Sequence, residues 1–330
     1  MAWTSLLGGL FGATGASTAN NFLFGGSKPA AGSATETATA PLPVPGGQPA
    51  TPATPAKVVF PAEFFKYGFP GPVHDLRYND EYISCYDRRT RNPAWVVEHL
   101  TPESMINNGT DRKRSTFTED ENVPQKFRAR LVDYFRSGYD RGHMAPAADA
   151  KFSQKAMDET FYLTNMCPQV GDGFNRDYWA HVEYFCRNLV KDYNSVRIVT
   201  GPLYLPRKYP DGKWRVSYEV IGNPPNVAVP THFFKLIVAE RPTKNPASDA
   251  VAVSAFVLPN EHIPNTTELK SFQVPVDAIE RSTGVNFLEK LPPAKTSDLC
   301  KEVTCRITVR EFNNALPAPK QPLALPAPSK

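Results

Sequence analysis

Apolar positions along this chain follow two spacings. Runs rich in β-branched and aromatic residues, mostly bounded by Pro, Gly or Asn, predict strands at Glu81–Tyr86, Ala94–His99, Thr160–Met166, Val196–Thr200, Val227–Val238 and Ala250–Leu258. Helical spacing takes over in Pro124–Phe135, through Phe127, Leu131, Tyr134 and Phe135. It returns in Asn175–Tyr193, where Trp179, Val182, Cys186, Leu189 and Val190 share one stripe. A third helix is predicted around Val276–Ser282, stopped before Gly284. Strands interleaved with helices, without internal repeats or regular βαβ alternation, predict an α+β fold with a mixed, mainly antiparallel sheet core.

Composition sets the limits of that domain. Of the 33 prolines, twelve crowd the first sixty residues and the last sixteen, where the other residues are mostly small or polar. Such stretches bury too little apolar surface to offset the entropy of ordering. Residues 58–314 are therefore expected to form the body, between disordered ends at 1–57 and 315–330. The first segment holds Lys28, Lys57 and Glu36, and the last holds Lys320 and Lys330 without an acid, so the body keeps only +1 of the net +4. Overall basicity is then no argument for nucleic acid; any such argument is local. Three basic clusters stand out: Arg88–Arg91, Arg112-Lys113-Arg114, and Lys126 with Arg128 and Arg130. Each taken alone reads as a solvated surface.

The five cysteines form no Cys-x-x-Cys pair, which argues against a zinc site and against a secreted disulfide framework. Only Cys300 and Cys305 are close enough in sequence to bridge; buried free thiols in a reducing compartment are the expectation. Residues 1–24 are apolar and glycine-rich with no charged side chain, unlike an Arg-rich presequence. Targeting, or loose membrane association, is expected of them.

Functional groups are densest at Tyr139-Asp140-Arg141-Gly142-His143-Met144-Ala145-Pro146. His143 has the one side chain there whose ordinary pKa suits proton abstraction near neutrality, and Gly142 allows close approach. A structural histidine fits this string equally well. Asn175 opens the long helix, with Glu183 and Arg187 one turn apart further along. By themselves these read as a helix cap and an i,i+4 ion pair. Together, the two segments supply what phosphodiester hydrolysis asks for. They offer a base for water, a hard oxygen ligand for magnesium, and arginine for the transition state.

These strings, with Thr164-Asn165-Met166-Cys167-Pro168-Gln169 and Val199-Thr200-Gly201-Pro202-Leu203-Tyr204, resemble the mitochondrial endonuclease G family and its fungal mitochondrial nucleases. The resemblance spans residues 69–291. It implies a DNA/RNA nonspecific endonuclease with a ββα-metal finger: a strand near Arg141–Met144, a strand at Thr160–Met166 and the helix from Asn175. By the same resemblance, His143 is the general base and Asn175 the direct ligand to Mg2+ or Mn2+. Glu183 orients metal-bound water, Arg187 assists on the phosphate, and Arg141 braces the loop or contacts phosphate. An upstream arginine meets the scissile phosphate; Arg114 is the first match and Arg112 the second. The resemblance further implies DNA and RNA as substrates, a homodimer, and residence at the mitochondrial inner membrane or intermembrane space, with release to the nucleus. Met144-Ala145-Pro146 departs from the Leu-Ala-Ala usual in animal members, which bears on inhibitor binding. Two other functions fit the residues: a catalytically idle nucleic-acid-binding module of the same fold, and a small-molecule phosphodiesterase.

Overall fold

The computed structural model describes residues 73–241 and 251–310, all within one compact unit. The expected N-terminal segment, the first part of the body and the C-terminal tail lie outside them. Among the described residues, no helix is long and apolar enough to cross a membrane.

Strands β1 (His74–Tyr78), β2 (Tyr82–Asp87) and β3 (Asn92–Leu100) open the domain. Next come β4 (Asp140–His143) and β5 (Met166–Gln169), and then β6 (Ser195–Leu203). Two short ribbons follow, β7 (Arg207–Lys208) with β8 (Trp214–Arg215), and β9 (Val220–Ile221) with β10 (Val227–Ala228). The chain continues through β11 (His232–Glu240), β12 (Val251–Pro259), β13 (Gln273–Val274) and β14 (Thr296–Asp298). The central sheet has the order β1-β2-β3-β6-β11-β12-β13, antiparallel throughout, and β14 joins β12 in parallel. The α+β class stands.

Both faces of this sheet are covered at its centre, so β11 and β12 are almost continuously buried instead of alternating. Val96, Ile198, Phe233, Ile237 and Phe256 pack on one face against Tyr178, Trp179, Val182 and Phe185 of helix α3. On the other, Val199, Phe234, Leu236, Ala255 and Val257 meet Ala278 and Ile279 of helix α4. Five helices carry labels here: α1 (Leu131–Tyr134), α2 (Gln154–Glu159), α3 (Tyr178–Asn188), α4 (Val276–Thr283) and α5 (Leu299–Glu302). Helix α4 ends as predicted, because Gly284 takes the left-handed conformation (φ 74°) that stops a helix cheaply.

Four expectations need correction. The predicted helix at 124–135 is a 3-10 turn at Gln125–Phe127 and the four-residue α1, separated by extended Arg128 and Arg130. Phe135 and Val132 stay exposed, so no buried stripe repays the cost of helix nucleation. The predicted strand at 160–166 begins only at Met166, since Thr160 closes α2 and Leu163–Asn165 turn. The predicted strand at 227–238 is interrupted at Pro230, which has no N–H to give to a ladder. Finally, Cys300 and Cys305 are joined in a disulfide, while Cys85, Cys167 and Cys186 are free thiols, the last two buried.

Candidate active site

The finger forms where β4 pairs antiparallel with β5, setting Asp140 opposite Gln169 and His143 opposite Met166. Gly142 sits at a crowded position: a Cβ there would lie 1.9 Å from Gln169 Oε1, and Gln169 is fully buried. The turn after His143 is held by Asn165. Its Oδ1 accepts from Ala145 N (3.0 Å), its Nδ2 donates to Ala145 O (2.9 Å) and Thr160 O (2.8 Å), and its carbonyl accepts from Met144 N. A buried carboxamide with three such bonds fixes the backbone that aims His143. In the sequence Asn165 stands only inside the Thr164–Gln169 motif, without a role of its own. Its signal was there, in an Asn amid an apolar run that would otherwise continue as strand.

His143 is buried, edge-on to Phe161 with ring centroids 4.8 Å apart, and Phe117 packs nearby at 5.7 Å. Its Nε2 is shielded from solvent and has no hydrogen-bond partner among the described residues. Burial, then the charges of Arg112 and Arg141, holds the imidazole well below its ordinary pKa. The ring is therefore neutral at physiological pH, the form in which a nitrogen can accept a proton.

Asn175 does not cap the long helix. It ends a wide turn at Gly171–Asn175, and Asp177 occupies the N-cap position of α3, which begins at Tyr178. The turn passes through Gly173 at φ 73°, where a Cβ would lie 1.8 Å from His262 Nδ1, so glycine is required twice over. Asn175 Nδ2 donates to Asp140 Oδ2 at 2.9 Å, and Arg176 Nε donates to the same oxygen at 2.8 Å. Because a carboxylate only accepts, the NH2 must face Asp140. Oδ1 is then left without a hydrogen bond among the described residues. One four-residue strand thus carries His143 at one end and, through Asp140, anchors Asn175 at the other, ~10 Å of backbone apart.

Glu183 and Arg187 sit on α3 as expected, but their pairing is different. Arg187 Nε bonds to buried Asp149, and its attraction to Glu183 is through space. Burial raises the Glu183 carboxyl to about 7, against the lowering charges of Lys235, Arg187 and Arg112 and with Asp149 raising it. Behind Glu183, fully buried Lys235 donates to Thr200 Oγ1 at 2.8 Å and lies 4.8 Å from the centroid of Trp179. Glu98 and Glu81 complete this buried cluster. Burial, helped by Asp149, pushes Glu98 well above the carboxylate range and Glu81 to about 9.

Of the two upstream arginines, Arg112 faces the site. Its guanidinium carbon is 5.5 Å from the Phe161 centroid, and its charge acts on both His143 and Glu183. Arg114, two residues on in the same exposed turn, has neither relation. Arg141 lies over Phe117 at 4.3 Å. The other basic clusters are largely taken up by the fold: Arg88 pairs with Asp75, Arg128 with the carbonyls of Val123 and Glu121, and Arg130 with Asp133.

Among the described residues no group of three or more His, Cys, Asp or Glu is arranged to hold a metal. A free carboxamide oxygen on a pinned side chain nevertheless fits a hard cation that keeps most of its waters.

The pattern of the family described as DNA/RNA non-specific endonuclease matches residues 60–294. The mitochondrial nuclease of Saccharomyces cerevisiae is 68% identical over 274 residues, 82% of this chain and 83% of its own. Human mitochondrial endonuclease G is 44% identical, over 69% of this chain and 74% of its own. Among solved structures, one of an EndoG/EndoGI complex superposes with TM-score 0.65 at 48% identity, over 72% of this chain and 94% of that one. Dependence on a divalent metal comes with the family. The chain belongs to the DNA/RNA non-specific endonucleases, in the endonuclease G group, and is a mitochondrial, sequence-nonspecific nuclease.

Proposed function

We propose that His143 is the general base of this nuclease and Asn175 the protein ligand to its divalent ion, Mg2+ or Mn2+. The reading rests above all on one observation: the buried imidazole of His143 shares a four-residue strand with the carboxylate that pins Asn175. The neutral imidazole of His143 takes the proton of the attacking water. Arg112 and Arg141 offset charge that develops on the phosphate, and Arg112 is preferred to Arg114 because of its field on the base. Asn165 holds the base in line, and Asp140 turns the Asn175 oxygen outward. Glu183, backed by Lys235 and Arg187, accepts hydrogen bonds from water at the site and fixes its orientation. The bound cation would neutralise charge on the phosphate and leaving oxygen. Contacts confined to phosphate and sugar suit single- and double-stranded DNA and RNA alike.

The chain is further proposed to act as a homodimer at the inner membrane or in the intermembrane space. Loose membrane association would come from the N-terminal segment. The test of the catalytic reading is nicking of supercoiled plasmid and cleavage of RNA by wild type and His143→Ala, with and without EDTA. Cleavage that needs metal and is lost in the variant is expected. Near-normal cleavage by the variant would remove His143 from its role, and an unchanged magnesium titration in Asn175→Ala would remove Asn175 from the metal.

A further inference from the structure

Residues 207–220 leave the body as an excursion exposed at every position. Its head is the β7–β8 hairpin, with Arg207 opposite Arg215 and Lys208 opposite Trp214. Gly212, at φ 78°, closes the turn under a Tyr209 N–Lys213 O bond of 2.9 Å. Solvent here meets large rings that a folded domain ordinarily covers: Trp214 is 46% exposed, Tyr218 45% and Tyr209 37%. Cations are interleaved with them. Arg215 lies over Tyr209 at 4.8 Å and is held by Asp211. Arg207, Lys208 and Lys213 make no ion pair among the described residues, and the stretch contains four cations against Asp211 and Glu219.

The return leg of the excursion is bonded beside the finger. On the outgoing side, Arg207 places its charge near His232, whose ring bonds to Thr231. Asn260 in turn donates its backbone N–H to Thr231 O, while its side chain accepts from Val170 N and donates to Pro168 O, at the end of β5. On the return side, Tyr139 Oη donates to Glu219 Oε2 at 2.9 Å, immediately before β4. The excursion is therefore tied by its return leg to the residue that leads into β4, the strand that carries His143.

We propose that the β7–β8 hairpin is a second contact site for the nucleic-acid polymer, where unpaired bases stack on Trp214 and its neighbouring tyrosines and phosphates meet Arg207, Lys208 and Lys213. Exposed rings are sequence-tolerant partners, because every base has a π-face, and interleaved cations attract a charged backbone. The site extends the enzyme's hold beyond the scissile phosphate and favours strands long enough to span both. It rests on the nuclease reading above.

Binding is read by anisotropy of a fluorescent 30-nucleotide single-stranded DNA in EDTA, and turnover with thymidine 5′-(p-nitrophenyl phosphate) in Mg2+. Trp214→Ala should weaken 30-mer binding about 5- to 150-fold, with Trp214→Phe restoring most of it. Lys208→Gln with Lys213→Gln should lower the slope of log affinity against log salt by about 1.4. Neither change should alter turnover of the short diester. Unchanged 30-mer affinity in folded Trp214→Ala would overturn the proposal. So would an equal loss on the short diester, or a shift in sedimentation that marks the hairpin as a contact between copies. Failure of the catalytic reading shows separately, as persistent cleavage by His143→Ala, because the binding assay needs no turnover.

Discussion

Alternate residues of β11 face two different environments. Phe234, Leu236 and Val238 enter a core made of apolar side chains, against α4. Phe233, Lys235, Ile237 and Ala239 point to the other face, toward α3, where Lys235 is buried with Glu98, and Glu183 and Asp149 lie within their fields. The first arrangement contributes stability alone. The second puts ionisable groups where desolvation opposes charge, a costly choice unless the charges serve something. Here they back Glu183 and Arg187, so the sheet gives one face to stability and lends the other to the site.

The sharpest test of that division is on the site side. His143→Ala should lower cleavage by about 10²- to 10⁴-fold, the range of general base catalysis, while the melting temperature stays level or rises, because a buried nitrogen that has no partner among the described residues is removed. A fall in melting temperature matching the loss of activity would make His143 structural. Next in size, Leu236→Ala should cost about 2–5 kcal/mol of unfolding free energy and leave kcat of the folded enzyme unchanged. Lys235→Met, one residue away on the opposite face, should cost about 3 kcal/mol and lower kcat as well. If both variants changed only stability, the two faces would not differ in kind. Arg112→Ala is expected to lose about 10²-fold in kcat/KM, and Arg114→Ala less than about twofold; the reverse order would return the phosphate contact to Arg114.

A separate effect is in pH. Glu81 is raised to about 9 when folded, against 4.5 as the ordinary value, so the folded protein holds a proton that the unfolded chain releases. Its favourable contribution is complete below pH 4.5 and is lost as pH rises toward 9. Glu81→Gln, which cannot ionise, should therefore gain stability relative to wild type between pH 5 and pH 9, by up to about 1.4 kcal/mol per pH unit. A difference that does not vary with pH would show that Glu81 ionises normally.

Local pattern was enough for the elements whose cause is local. β2, β3, β6 and β12 appear within a few residues of their apolar runs, and α4 stops at its glycine. It misled where burial had to decide. The spacing at 124–135 is helical, yet that segment lies on the surface and Arg128 and Arg130 are committed to other partners. The site shows the same limit. Residue types and order brought forward His143, Asn175, Glu183 and Arg187, but nothing in their spacing said that Arg187 would bond to Asp149, or that Asp140 would turn the Asn175 amide.

The sequence alone determined the class of fold, the two segments that carry the chemistry and the family they resemble, because each depends on residue type within a short window. Tertiary structure decided which arginine faces the base, why Asn175 offers its oxygen, and where Lys235 and three carboxyls are buried together. Those depend on strand pairing and packing between residues tens of positions apart, and the desolvation that sets their charge exists only once the sheet and α3 have closed over them.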